Sequence, residues 1–141
     1  MTQIVRDTGF HSDDWTKGFC APEAANDCAA LDLPSDADVE LFHNRLSGVE
    51  MIRVDFPSFA DGRGFTIAAQ LRRMGFKGRL RAAGHVIADQ YAMARRAGFD
   101  EVEISQDLAE RQPEAQWLRR ANWTQHNYQA RLKSRVVSAA K

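Results

Sequence analysis

A chain of 141 residues with 19 Lys+Arg, 19 Asp+Glu and 44% hydrophobic side chains has the length of one domain and the composition of a globular one, which excludes wholesale disorder. A net charge of zero argues against a basic nucleic-acid binder. No run approaches the roughly 20 apolar residues of a membrane-spanning helix, and Met1 to Phe10 hold no apolar signal core, so a cytoplasmic protein with no membrane partner is expected.

Residues 1–27 read as a hairpin or a cover for a sheet edge, with Gln3 to Arg6, the turn Asp7-Thr8-Gly9, and then Phe10. Cys20 and Cys28 have seven residues between them. That spacing is neither C-x-x-C nor half of a paired zinc motif, and His11 and His43 are the only neighbours that could complete one. Two reduced thiols and no metal are expected.

A repeated phrase organises residues 28–108. Leu46-Ser47-Gly48-Val49, Arg73-Met74-Gly75-Phe76 and Arg96-Ala97-Gly98-Phe99 each join a helix-like run to a short alternating segment, with the glycines 27 and 23 residues apart. Gly closes a helix and the apolar residue after it packs back on the last turn. Helices are expected from Asp36 to Leu46, Arg63 to Met74 and Val86 to Ala97, strands around Ala29–Leu33, Glu50–Phe56, Gly78–Ala82 and Asp100–Ile104. The order is four βα units with parallel strands. Residues 109–141 add a C-terminal helix from about Pro113 and a tail that frays from Ala130. Trp117 and Ala121 suggest a packing stripe there, with Trp123 and Tyr128 nearby.

The strands alternate. Leu31, Leu33, Ile52, Val54, Phe56, Leu80, Ala82, Val102 and Ile104 share one parity, while Asp32, Arg53, Asp55, Arg79, Arg81, Glu101 and Glu103 share the other. Buried parallel strands are usually apolar on both faces. Helices on mainly one face of a small parallel sheet follow, in a half-barrel-like or Rossmann-like α/β fold. The charged face is solvated, forms a polar concave site, or is covered by the termini or a second subunit, so a homodimer is one option.

In parallel α/β sheets ligands sit beyond the carboxyl ends of the strands. Asp61-Gly62-Arg63-Gly64 opens a helix there, and its glycines and Arg63 could cradle an anion, with Arg81 and Gln90 as further ligands. It lacks the third glycine of a dinucleotide motif. Asp61 is also a natural helix cap, and Arg63 could simply pair with Asp61 or Asp55. His85 stands after the third strand, with Asp89 four residues on as a carboxylate that could orient it for acid–base work. Asp61, His85 and Asp89 are thus the catalytic candidates. Phe56, Phe59 and Phe65 are expected to pin the loop to the core.

Phe56-Pro-Ser-Phe-Ala-Asp-Gly-Arg-Gly-Phe65, Leu71-Arg72, Gly78-Arg-Leu-Arg-Ala-Ala-Gly84, Asp89-Gln90 and Arg96-Ala-Gly-Phe-Asp100 together resemble the bacterial domain-of-unknown-function family 934, over roughly residues 28–108. The resemblance implies an oxidoreductase-described protein of sulfite reduction whose genes lie beside assimilatory sulfite reductase. It supplies no catalytic residues, and His85 occupies a position where family members more often carry an acid. No motif for a flavin, nicotinamide, haem, sirohaem or iron–sulfur cluster is recognisable, and electron transfer needs a bound cofactor. An accessory role follows, binding a small anion, sulfite reductase or another sulfur-assimilation enzyme. The alternatives are a small-molecule enzyme using Asp61, Arg63, His85 and Asp89, or a pure protein-interaction module.

The zero net charge conceals two halves. Residues 1–61 carry 12 acids and 4 bases, residues 62–141 carry 7 acids and 15 bases. The halves either interleave in the fold or leave a basic surface for an anionic partner.

Overall fold

The structure is a computed structural model, and it describes residues 2–22 and 28–124. Strands β1 (Thr2–Arg6) and β2 (Gly9–His11) form the expected N-terminal hairpin. Strands β3 (Ala30–Leu33), β4 (Met51–Phe56), β5 (Arg79–Gly84) and β6 (Glu101–Ser105) follow. All six join one sheet in the order β2-β1-β6-β5-β4-β3. β3 to β6 are parallel, and β1 runs antiparallel to both β2 and β6. The hairpin therefore both forms and covers the β6 edge.

Each core strand lies next to its successor in sequence, without a reversal of direction. Right-handed crossovers taken always in one direction put every helix on the same face. α1 (Arg63–Arg73), α2 (Tyr91–Ala97), α3 (Gln106–Arg111) and α4 (Glu114–Leu118) supply that layer. Ile67, Ala68 and Leu71 of α1 and Tyr91 and Ala94 of α2 pack with Leu31, Ile52, Val54, Leu80, Ala82 and Val102 in one apolar cluster. This topology explains the alternation in the strands, because only one face meets helices. Phe56 anchors the cluster's upper end, with Phe65 and Phe99 edge-on to it at 5.0 and 5.8 Å.

The glycine phrase holds at two of its three positions. Gly75 and Gly98 take φ of +97° and +120°. The next residues bond back across the turn, Phe76 N–H to Leu71 O and Phe99 N–H to Ala94 O, each 3.0 Å, as a Schellman closure requires. Gly48 does not take a positive φ, and Val49 N–H bonds only to Leu46 O, at 3.1 Å. Arg72 locks the two closures together by donating to the carbonyls of Phe76, Gly78 and Gly98.

Two helix expectations need correction, and one further helix lies outside them. The run 36–46 forms a 3-10 turn, Val39–Arg45. Val39 is buried but Leu41 is 76% exposed, so the segment lacks a continuous apolar stripe. The helix expected from Val86 becomes a 3-10 turn, Ala88–Gln90, before α2 begins. α3 was not anticipated. Ser105 caps it by accepting from Leu108 N–H at 3.1 Å, and its apolar residues Leu108 and Ala109 are buried. Of the expected stripe Trp117 is buried, whereas Ala121 lies in a turn beyond α4 and is only half-buried. Tyr128 and the tail from Ala130 lie outside the described residues.

The opposite face is a charged lattice. Register aligns Asp32, Arg53, Arg81 and Glu101 across four strands, and Asp55, Ala83 and Glu103 in the next row. Residues 12–21 cross this face as a strap. Asp13 pairs with Arg81 at 3.1 Å and Asp14 with Arg79 at 2.9 Å, while the Phe19 ring centre lies 3.8 Å from the Arg53 guanidinium carbon and 6.0 Å from that of Arg81. A terminal segment thus provides the cover, and the acidic and basic halves interleave. Among the described residues, no helix is long and apolar enough to cross a membrane.

The expectation of two reduced thiols is also corrected, because Cys20 and Cys28 form a disulfide. Cys20 N–H donates to Ala30 O at 3.0 Å and Asp32 N–H to Cys20 O at 2.8 Å. This single parallel bridge to Leu31 brings Cys20 beside the approach to β3, where Cys28 stands. His11 does not join them; its Nε2 lies 2.6 Å from Thr8 Oγ1. The His43 side chain lies outside the described residues.

Candidate functional site

A sheet with no reversal of strand order has no crevice of the doubly wound kind. The loops beyond its carboxyl ends remain, and they form the candidate site. The β4 loop, residues 57–62, is held from two sides. Gln90 Nε2 donates to Phe59 O at 2.9 Å, and its Oε1 accepts from Ile87 N–H at 3.0 Å. His85 N–H donates to Phe56 O at 2.9 Å, and its Nδ1 lies 3.2 Å from the same oxygen. Gln90 thus serves backbone groups here, and His85 is bound to the neighbouring strand end.

Gly84 lets the two loops approach. Its φ is +103°, and a Cβ there would sit 2.8 Å from Phe56 O. Any larger residue would push β5 away from β4 where His85 must reach across. On the charged side of Gly84 opens a cleft of about 640 Å³, bordered by Phe19, Cys20, Arg53, Asp55 and Glu103. On the other side lies a pocket of about 300 Å³ bordered by Phe59, His85, Asp107, Leu108 and Arg111.

Phe59 does not pin the loop to the core. It is 42% exposed, and its ring stands edge-on to the His85 ring, centroids 5.2 Å apart at 83°. Sequence reasoning grouped it with Phe56 and Phe65, which do pack inward. The signal that separates them is position. Phe56 ends a strand and Phe65 lies on a helix, whereas Phe59 sits in the loop between.

The remaining charged candidates are paired. Asp61 accepts from Arg63 N–H at 3.1 Å and from its guanidinium at 2.8 and 3.0 Å. Arg63 Nη2 also donates to Ser35 Oγ at 2.9 Å. The Arg63 guanidinium holds the Asp61 carboxyl well below the usual carboxylate range. Asp61 thereby serves the α1 start from just before its cap residue, Gly62, while Gly64 is buried against the Phe56 ring. Asp89 pairs with Arg120 at 2.7 Å, and its hydrogen bond runs to that residue, not to His85. The 3-10 winding of residues 88–90 explains this, since a spacing of four aligns side chains only on an α-helix.

Arg81 lies on the covered face rather than at the carboxyl edge. It is fully buried, and it donates to Glu101 at 2.6 Å, Glu103 at 2.8 Å and Asp13 at 3.1 Å. Burial works to raise Asp13, but the hydrogen bonds from Arg81 prevail and hold its carboxyl below the ordinary value. At the hairpin turn, burial and then the bond to Asp7 push the Tyr91 hydroxyl up. That hydroxyl donates to Asp7 at 2.5 Å. Sequence reasoning missed Asp13, Asp14 and Phe19, since each acts across more than thirty residues of chain.

The fold and these loops define a singly wound α/β protein with one helical layer and a carboxyl-edge loop cluster. The family described as bacterial protein of unknown function (DUF934) matches residues 30–137, and the chain belongs to it. No curated protein and no solved structure matches the chain.

Proposed function

We propose that the chain is an accessory protein of assimilatory sulfite reduction that docks a partner enzyme of that step through the carboxyl edge of its sheet. Family membership supports the biological setting, because relatives in the resemblance described above are linked to sulfite reductase. The observation that carries the docking reading is Phe59. An aromatic ring is held out in water by a loop clamped through Gln90 and His85, beside a pocket that includes Leu108. Rigid aromatics near arginines are the usual anchors of protein interfaces. The charges around it are already neutralised in Arg63–Asp61 and Arg111–Asp107, so a partner need not supply counter-ions.

The test is a binding and turnover assay with purified sulfite reductase. The wild-type chain is expected to form a complex and raise sulfite turnover, and Phe59→Ala to lose at least tenfold in affinity, about 1.4 kcal/mol, with its melting temperature kept. A strain lacking the gene is expected to grow on sulfide but not on sulfate or sulfite. Absence of a complex at micromolar concentration, together with normal growth on sulfite, would end this reading.

A further inference from the structure

The Cys20–Cys28 disulfide lies outside the pocket beside Phe59 and outside the apolar core. Neither cysteine belongs to the core cluster, and both are only half-buried. Cys20 borders the larger cleft, so a small reductant or an inserted loop has a path to it. The bond closes a short loop and joins the end of the strap to the approach of β3. A core of this size stands without a covalent staple. What the disulfide holds is the strap.

The residue before Cys20 is Phe19, which lies over Arg53 and Arg81. Farther along, Asp13 and Asp14 occupy Arg81 and Arg79 as internal anions. Asp13 is 34% exposed and Asp14 53%, and partly exposed ion pairs of this kind hold weakly. With the disulfide open, two backbone hydrogen bonds at Cys20, these pairs, and the partly exposed pairs Arg6–Asp14 at 3.0 Å and Lys17–Glu50 at 2.9 Å still tie the strap to the sheet, beside the Phe19 stack. The disulfide therefore sits one residue from the aromatic ring that lies over Arg53 and Arg81.

We propose that Cys20–Cys28 is an exchangeable disulfide that accepts two electrons from a dithiol reductant and thereby unlatches the strap from the arginine face. A thiolate of the dithiol attacks Cys20 Sγ from the cleft. The Cys20–Cys28 bond breaks, and its electron pair leaves on Cys28, which takes up a proton. The second thiol of the reductant, deprotonated, then attacks the mixed disulfide. Cys20 departs as a thiolate and is protonated, and the reductant leaves as its own disulfide. The chain gains two electrons and two protons, and the dithiol loses the same. The proposal uses none of the docking residues and does not depend on that reading.

The test counts free thiols on the full-length chain by maleimide mass shift, in native buffer with dithiothreitol or thioredoxin, and again after oxidised glutathione is added. Hydrogen exchange is followed in parallel. Reversible conversion between no free thiols and two is expected, with exchange in residues 12–21 about tenfold faster in the reduced form while β5 stays protected. Cys20→Ser and Cys28→Ser should show the fast strap permanently. Phe19→Ala should loosen the strap even when oxidised and leave the thiol count reversible. A disulfide that opens only in denaturant, thiols that stay free under oxidised glutathione, or a strap whose exchange ignores the redox state would each overturn the proposal.

Discussion

The two faces of the sheet solve the same problem with different chemistry. The helical face excludes water with side chains such as Leu80, Ala82 and Val102, which are fully buried. The charged face is buried almost as deeply at its centre, since Arg81 and Glu101 are 0% and 2% exposed, but it excludes water with ion pairs and one strap. Ile4, Ala30 and Met51 share the parity of the charged residues and are also fully buried. Burial is therefore possible on a face that no helix covers, provided each buried charge has partners. Among the described residues, no buried side-chain nitrogen or oxygen lacks a hydrogen bond. The difference lies in tolerance. An apolar face gives up contact area when a side chain is trimmed, whereas a charge lattice is left with an uncompensated ion.

That contrast is broken most directly at Glu101, which accepts from Arg6, Arg79 and Arg81. Glu101→Ala is expected to cost about 3–5 kcal/mol in chemical denaturation, the range for removing one partner of a buried pair. Leu80→Ala is the matching change on the helical face and should cost about 3 kcal/mol through lost transfer energy and a cavity. A Glu101 variant less damaging than the Leu80 variant would mean that the charged face is ornament. Gly84→Ala tests the junction of the two faces at the site. Its strained φ and the approach to Phe56 O predict a loss of about 1–3 kcal/mol, and a displaced His85 resonance in the NMR spectrum.

The smallest effect should lie at the strap. Asp13→Asn is expected to cost about 1 kcal/mol or less, because the pair is partly exposed, and to raise hydrogen exchange at Trp15 while β5 is unaffected. The pH dependence has a definite sign. Asp13 and Asp14 are held below the ordinary carboxyl value of 3.8 in the folded state. Their contribution is therefore complete above that value and is lost as pH falls through the folded values. Trp15 emission should stay flat from neutrality to about pH 4 and change only below it. A transition near pH 6 would implicate a histidine instead.

The sequence announces the helical face clearly, because alternation in four strands and two glycine closures are local signals. Asp61 and Arg63 were legible as a pair for the same reason, being two residues apart. The strap was not. Asp13 meets Arg81 across 68 positions, and no spacing rule spans that interval before the strand register is known. The pairing of Cys20 with Cys28 follows no motif spacing, because the contact comes from a backbone bridge to Leu31. The expected His85–Asp89 partnership failed on winding, since a 3-10 turn took the place of the first α-helical turn. The exposed Phe59 could have been separated from Phe56 and Phe65 by asking which aromatic has a regular element behind it.

The antiparallel seat of β1 beside β6 sets an order of assembly. β1 is synthesised first, yet Thr2 pairs with Ser105 and Val5 with Val102, roughly a hundred residues later. At about 5–20 residues per second on the ribosome, the hairpin waits on the order of 5–20 s for its neighbour. A lone two-stranded hairpin has little stability in water, and the strap cannot settle before β4 and β5 have brought Arg53 and Arg81 together. Residues 2–22 are therefore expected to settle only after β4 to β6 have formed. Folding of the parallel core should precede protection of residues 2–22 in pulse-labelled hydrogen exchange, so that the arginine face stays uncovered until residues 12–21 return to it.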